Sequence, residues 1–195
     1  MKILIDNGHG VETAGKRSPD GSLREYKYAR EIAARIVSRL KEKGFDAERI
    51  VTEENDISLA ERCRRVNSVC DRLGAKNVIL VSVHCNAAGN GSQWMNARGW
   101  SAHVSLNAST QSKAFARSLI ETAEREGLKI RKYAHQSPYW SQNLAICRDT
   151  KCAAVLTENL FQDNKEDVAF LLSEVGKETI VSLHVKGVIN YLKTI

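Results

Sequence analysis

Short, unbroken apolar runs alternate along the chain with longer stretches in which apolar residues recur every three or four positions. Ile3-Leu4-Ile5 ends on Asp6-Asn7-Gly8, the pattern of a buried strand running into a turn. Gly10, Gly15, Pro19 and Gly21 predict a loop over residues 10–21. Ser22-Leu23-Arg24-Glu25 has the form of a capping box, with Ser at the cap and Glu three residues on. Ala29, Ile32, Ala33, Ile36, Val37 and Leu40 then share one helical face until Gly44. Residues 45–51 predict a weaker strand. Ser58-Leu59-Ala60-Glu61 is a second capping box, opening a helix through Cys63, Val66, Cys70 and Leu73 to Gly74. Residues 78–83 are apolar apart from Ser82 and give the strongest strand, which ends at His84-Cys85-Asn86. A strand over 99–106 follows. Ser109 or Thr110 then caps a helix carrying Ala114, Phe115, Leu119 and Ala123, stopped by Gly127. Residues 128–143 form a polar and aromatic loop. Residues 144–147 suggest a short strand, and Ala153-Ala154-Val155-Leu156-Thr157 a buried one ending at Glu158. The rest, over 164–192, is helical in pattern with a break near Gly176.

Strands alternating with helices predict an α/β fold with a mostly parallel sheet and helices on both faces. In such open sheets the chemistry sits beyond the carboxyl ends of the strands. That rule selects the segment from Asp6 to Gly10, the His84-Cys85-Asn86 turn, and Glu158. At 195 residues the chain suits one domain spanning 1–195. Its 43% hydrophobic and 27% charged residues exclude disorder and fibrous repeats. No run of about 18 apolar residues exists to span a membrane. The apolar opening is too short for a secretory leader, so the expectation is a product made in the cytoplasm without a visible signal peptide. Five cysteines, an odd number with no C-x-x-C, fit neither a disulfide frame nor a Cys-rich zinc knuckle. Lys+Arg 29 against Asp+Glu 23 leaves a formal charge of +6. That suits either an anionic polymer partner or an ordinary solvated surface.

His9 and His84 each follow a buried strand by one to four residues. Two imidazoles with one glutamate are a common ligand set for catalytic zinc, which keeps a fourth position open. The separations from His9 to Glu25 and on to His84 are long, and no compact H-E-x-x-H occurs. Plain structural roles stay open at this level. His9 can bond its Gly-rich turn, His84 can cap its strand, and Glu25 can bond back to the Ser22 N–H. Glu158 either meets water at a strand end or moves protons for a hydrolytic site. His103 on a strand, His135 in the aromatic loop and His184, read as a surface residue of the helical tail, carry less signal. No G-x-S-x-G nucleophile motif or Gly-rich phosphate loop is present.

Taken together and in order, several segments resemble one family. Ile5-Asp6-Asn7-Gly8-His9-Gly10 resembles the D-x-G-H-G opening of the zinc-dependent N-acetylmuramoyl-L-alanine amidases of autolysins and phage lysins. Arg24-Glu25-Tyr26 resembles the start of that family's first helix, and Ile57-Ser58-Leu59-Ala60-Glu61-Arg62 through Asn67 its s-L-x-x-R…a-N segment. Val81-Ser82-Val83-His84-Cys85-Asn86-Ala87 is similar to its S-x-H-x-N-A motif. Gly99-Trp100, Asn143-Leu144-Ala145-Ile146 and the stretch from Ala154 to Asn164 resemble its remaining signatures. Val11, Ala153 and Leu160 depart from the pattern, standing where Gly, Pro and Gly are usual.

The resemblance implies a single α/β domain with a six-stranded, mostly parallel sheet. It implies one zinc ion held by His9, Glu25 and His84, with Glu158 as the catalytic carboxylate. The reaction implied is hydrolysis of the amide between N-acetylmuramic acid and L-alanine, on a peptidoglycan or muropeptide substrate. Asn86 and Arg148 are candidate substrate contacts by position. A chain without a visible export signal that acts on the cell wall suggests a phage or prophage lysin. Two alternatives remain: another zinc amidohydrolase, such as a deacetylase or peptidase, on the same scaffold, or a non-catalytic wall-binding module. Aromatic-plus-basic patches that would point to nucleic acid are not evident.

Overall fold

The computed structural model describes residues 1–132 and 137–195. Six strands form one sheet in the order β2-β1-β3-β6-β4-β5. They are β1 (Lys2–Asn7), β2 (Asp46–Arg49), β3 (Val78–Asn86), β4 (Ser101–Ser105), β5 (Trp140–Gln142) and β6 (Ala153–Phe161). β1 runs parallel to β2 and β3, β3 parallel to β6, and β4 parallel to β5; only β4 against β6 is antiparallel among the described pairs. The helices are α1 (Glu25–Glu42), α2 (Leu59–Leu73), α3 (Thr110–Arg125), α4 (Ala145–Arg148), α5 (Lys165–Leu172) and α6 (Glu174–Leu192).

The period-2 geometry of the central strands sends alternate side chains into two separate cores. Ile3, Ile5, Val81, Val83 and Val155 join the layer covered by α1, α3, α5 and α6. Leu4, Leu80, Ala154 and Leu156 join the layer under α2 and α4. The sheet is therefore covered on both faces, as its continuous apolar runs require. Trp100 is fully buried and donates its indole N–H to Asn159 Oδ1 at 2.8 Å, which satisfies the polar end of a large core side chain.

Several sequence expectations change. The capping box at Ser22 does not form. α1 starts at Glu25, Arg24 is its cap residue without a side-chain bond, and Ser22 Oγ donates instead to Asp20 Oδ1 at 2.8 Å. Glu25 is thereby free of the cap. Residues 144–147 were expected as a strand, but Ala145–Arg148 is the short helix α4. The strand next to β4 is β5, from the segment expected as loop. A four-residue apolar run does not distinguish the two states.

The break in the C-terminal helical stretch falls at Ser173, whose extended backbone ends α5 and whose Oγ accepts from Gly176 N at 3.0 Å to cap α6. Gly176 is needed for close approach: a Cβ there would lie 1.8 Å from the Phe170 carbonyl oxygen. His184, expected at the surface, is fully buried. Its Nδ1 donates to Ile180 O at 2.7 Å and its Nε2 lies 2.9 Å from Thr157 Oγ1. Burial pushes its pKa down to about 4, so it is neutral at physiological pH. His135 lies outside the described residues.

Candidate active site

The parallel register brings the ends of β1, β3 and β6 side by side. His9 leaves β1 two residues past its end, His84 lies near the end of β3, and Glu158 is its direct partner on β6. Glu25 opens α1, and its backbone N–H donates to Lys16 O at 3.0 Å, which ties the helix start to the loop leaving β1. Residues distant in sequence thus converge at one sheet edge.

Ligand atoms of His9, Glu25 and His84 all lie within 4.8 Å of one another. His84 Nδ1 is 3.2 Å and His9 Nε2 3.4 Å from Glu25 Oε1. The two imidazoles meet edge to face, with centroids 5.0 Å apart at 87°. Glu25 is fully buried; its Oε1 accepts from Cys85 N–H at 3.0 Å, while Oε2 is buried without any hydrogen-bond partner. Burial works against ionisation of Glu25. The hydrogen bonds and charges of His84 and His9 outweigh it and hold the carboxyl well below the usual range. Burial likewise opposes protonation of His84, and Glu25 reverses that, raising its pKa.

A buried carboxylate with one unpartnered oxygen, facing two imidazoles, fits a divalent transition metal. The donor set is two nitrogens and one oxygen, as in catalytic zinc sites, and the orphaned oxygen is a group that otherwise costs stability. All five cysteines are buried and none belongs to this cluster.

Gly8 is part of the construction. A Cβ on Gly8 would lie 2.2 Å from His84 Cε1. Gly8→Ala is therefore expected to displace the His84 ring and, if this cluster holds a metal, to weaken its binding about 10–100-fold, with the far-ultraviolet circular dichroism unchanged. A competition titration against a chelator checks this.

Glu158 Oε2 is buried and unpartnered. Burial pushes the Glu158 pKa up; His84 opposes and Glu25 adds to the rise, leaving it at about 7. Beside it, β6 carries an irregularity: the register with β3 shifts between His84 and Asn86, and Leu160 has φ 63. Leu160 is the position where the resembled pattern has Gly, the residue this left-handed backbone favours.

His9, His84 and Glu158 line one cavity of about 400 Å³, shared with Lys16 and an apolar wall that includes Ile57, Leu144 and Ile146. Two sequence-selected residues lie apart from it. Asn86 ends β3 and its Oδ1 accepts from Ala87 N–H at 2.9 Å. Arg148 pairs with Asp149 at 2.7 Å, bonds Asn143, and lines a different cavity with Lys76 and Lys151. Sequence reading missed Lys16, which sits in a loop with no periodicity, and gave Arg62 no role beyond its motif.

An α/β sheet with a His–Glu–His cluster at its carboxyl edge is the architecture reached. The chain belongs to the N-acetylmuramoyl-L-alanine amidase family, whose model matches residues 3–190. It is 26% identical over 192 residues to an endolysin of Bacillus phage SPP1, covering 97% of this chain. The chain spans 65% of that endolysin's length. Among solved structures it resembles an N-acetylmuramoyl-L-alanine amidase from Clostridium difficile 630, with TM-score 0.85 and 24% identity over 99% of this chain and 97% of that one. It also resembles the amidase Ami1 of Mycobacterium smegmatis, with TM-score 0.86 and 18% identity over 100% and 98%. These likenesses agree with the fold described above.

Proposed function

We propose that residues 1–195 form the catalytic unit of a zinc-dependent N-acetylmuramoyl-L-alanine amidase acting on peptidoglycan. Family membership supports the reaction, and the observation that carries the mechanism is the His9–Glu25–His84 cluster facing the unpartnered carboxylate of Glu158. His9, Glu25 and His84 would hold the zinc. When bound, the ion would supply Lewis acidity toward the amide carbonyl and toward water.

The chain's own groups do the rest. Glu158 takes a proton from the attacking water as that water's oxygen bonds to the lactyl carbonyl carbon. It then delivers the proton to the L-alanine nitrogen as the C–N bond breaks. The products are a muramyl carboxylate and a stem peptide with a free amine. A carboxyl whose pKa burial raises toward neutrality suits both the accepting and the donating role.

Lys16 forms no ion pair among the described residues and lines the same cavity, so it is a cation available to an anionic stem peptide. Arg148 is left out of this reading because Asp149 and Asn143 occupy its guanidinium. Among the described residues no helix is long and apolar enough to cross a membrane. Likeness to a phage endolysin supports action on the cell wall as a phage or prophage lysin, and the +6 charge favours approach to an anionic wall. Incubation with a purified muropeptide tests the reading: release of intact stem peptide is expected, and an unchanged muropeptide in the presence of zinc would refute it.

A further inference from the structure

Three consecutive backbone carbonyls at the end of β1 are each met by a buried arginine. Arg62, on α2, donates from Nη1 to Asn7 O at 2.6 Å and from Nη2 to His9 O at 3.2 Å. Arg30, on α1, donates from Nη1 to Gly8 O at 3.4 Å. The Arg62 side chain is 3% exposed and uses every donor it has. Besides the two carbonyls, Nε donates to Ile57 O at 2.7 Å, Nη1 to Asp6 Oδ1 at 2.6 Å, and Nη2 to Asp56 Oδ1 at 3.3 Å. Asp6 in turn accepts from Ser82 Oγ at 2.5 Å through Oδ2. Ser82 stands two residues before His84 on β3.

One connected path therefore runs from the strand carrying His84, through Ser82, Asp6 and Arg62, to the backbone of His9. His9 itself has φ 60, a left-handed conformation that non-glycine residues adopt only when something holds them there. Arg62 holds the carbonyl of that residue and, across Gly8, the carbonyl of Asn7. An ammonium group is a single point charge and lacks the planar fork that reaches two carbonyls and a carboxylate together.

We propose that Arg62 is a positioning residue for metal binding: its guanidinium, fixed by Asp6 and Ser82, locks the His9 backbone so that the imidazole is already placed beside Glu25 and His84. The inference rests on the reading of His9, Glu25 and His84 as zinc ligands. Groups that orient ligands without touching the metal are worth about 10–100-fold in affinity.

The test compares wild type, Arg62→Lys, Ser82→Ala and Arg64→Lys. Arg64 pairs with Glu61 on the exposed side of α2 and serves as control. Zinc affinity is measured by competition with a chromophoric chelator, the visible spectrum is recorded after cobalt substitution, and melting is followed without metal. Arg62→Lys is expected to weaken zinc binding about 10–100-fold and alter the cobalt bands. Ser82→Ala should give a smaller loss in the same direction, and Arg64→Lys none. Should Arg62→Lys not fold, Ser82→Ala alone decides, since it keeps the arginine and only loosens Asp6. Variants that melt lower yet bind zinc as wild type does, with the same cobalt spectrum, would mean a merely structural role and overturn the proposal. A wild-type chain that takes up no zinc would overturn the ligand reading beneath it instead.

Discussion

Glu158→Gln is expected to lower amide cleavage by about 10²–10⁴, the usual worth of a general acid–base group, while leaving bound zinc unchanged. The substitution keeps the shape of the side chain and removes the oxygen that takes up the proton. Glu158 faces His84 across β3 and β6, and its Oε2 is buried with no partner to satisfy it. It does not belong to the cluster of His9, Glu25 and His84 proposed to hold the metal. Turnover and metal content should therefore separate in this variant. Turnover of a defined muropeptide, measured alongside elemental analysis of the same sample, reads both. Near wild-type cleavage with zinc bound would leave Glu158 as an ordinary strand end.

The second large effect is expected on the metal itself. The wild-type chain should carry about one zinc, and His9→Ala or His84→Ala should reduce this to near none, because three protein ligands are the minimum for a site of this kind. Glu25→Gln belongs with them. The amide still accepts from Cys85 N–H, now 3.0 Å away, but loses the charge that draws the two imidazoles and a cation together. Zinc content should fall and cleavage with it, in contrast to Glu158→Gln, where only cleavage falls. Elemental analysis of each variant, with activity before and after chelation, separates the two glutamates. Chelated, metal-free protein that still cleaves at full rate would contradict the assignment.

The central sheet was legible because β1, β3 and β6 carry apolar runs on both faces, bounded by turn residues and alternating with helical patterns, as doubly covered parallel strands do. Short elements were not. Residues 144–147 and β5 are settled by pairing with β4 and by packing under the sheet, which no window of four residues contains. Ser22 satisfied a capping rule, yet Asp20 and Ser18 captured its hydroxyl, so the cap of α1 falls two residues later, at Arg24. His184 was read as a surface residue of the helical tail, but α6 is buried on most of its sides and packs it against Thr157.

In the site, His9, His84 and Glu158 were legible as polar residues at the ends of apolar runs, a position the topology makes special. Glu25 was ambiguous until the cap was seen not to form. The role of Arg62 was invisible because it acts on backbone carbonyls of a loop more than 50 residues away, through contacts that leave no periodic trace.

The most direct test of the central claim is digestion of a defined muropeptide in oxygen-18-labelled water, with mass analysis of the products. Hydrolysis of the muramyl amide places one heavy oxygen on the muramic acid carboxylate and releases an unlabelled stem peptide whose L-alanine amine is free. That distribution is the expected result. Heavy oxygen in released acetate, or in a carboxylate within the peptide, would identify a deacetylase or a peptidase and contradict the account.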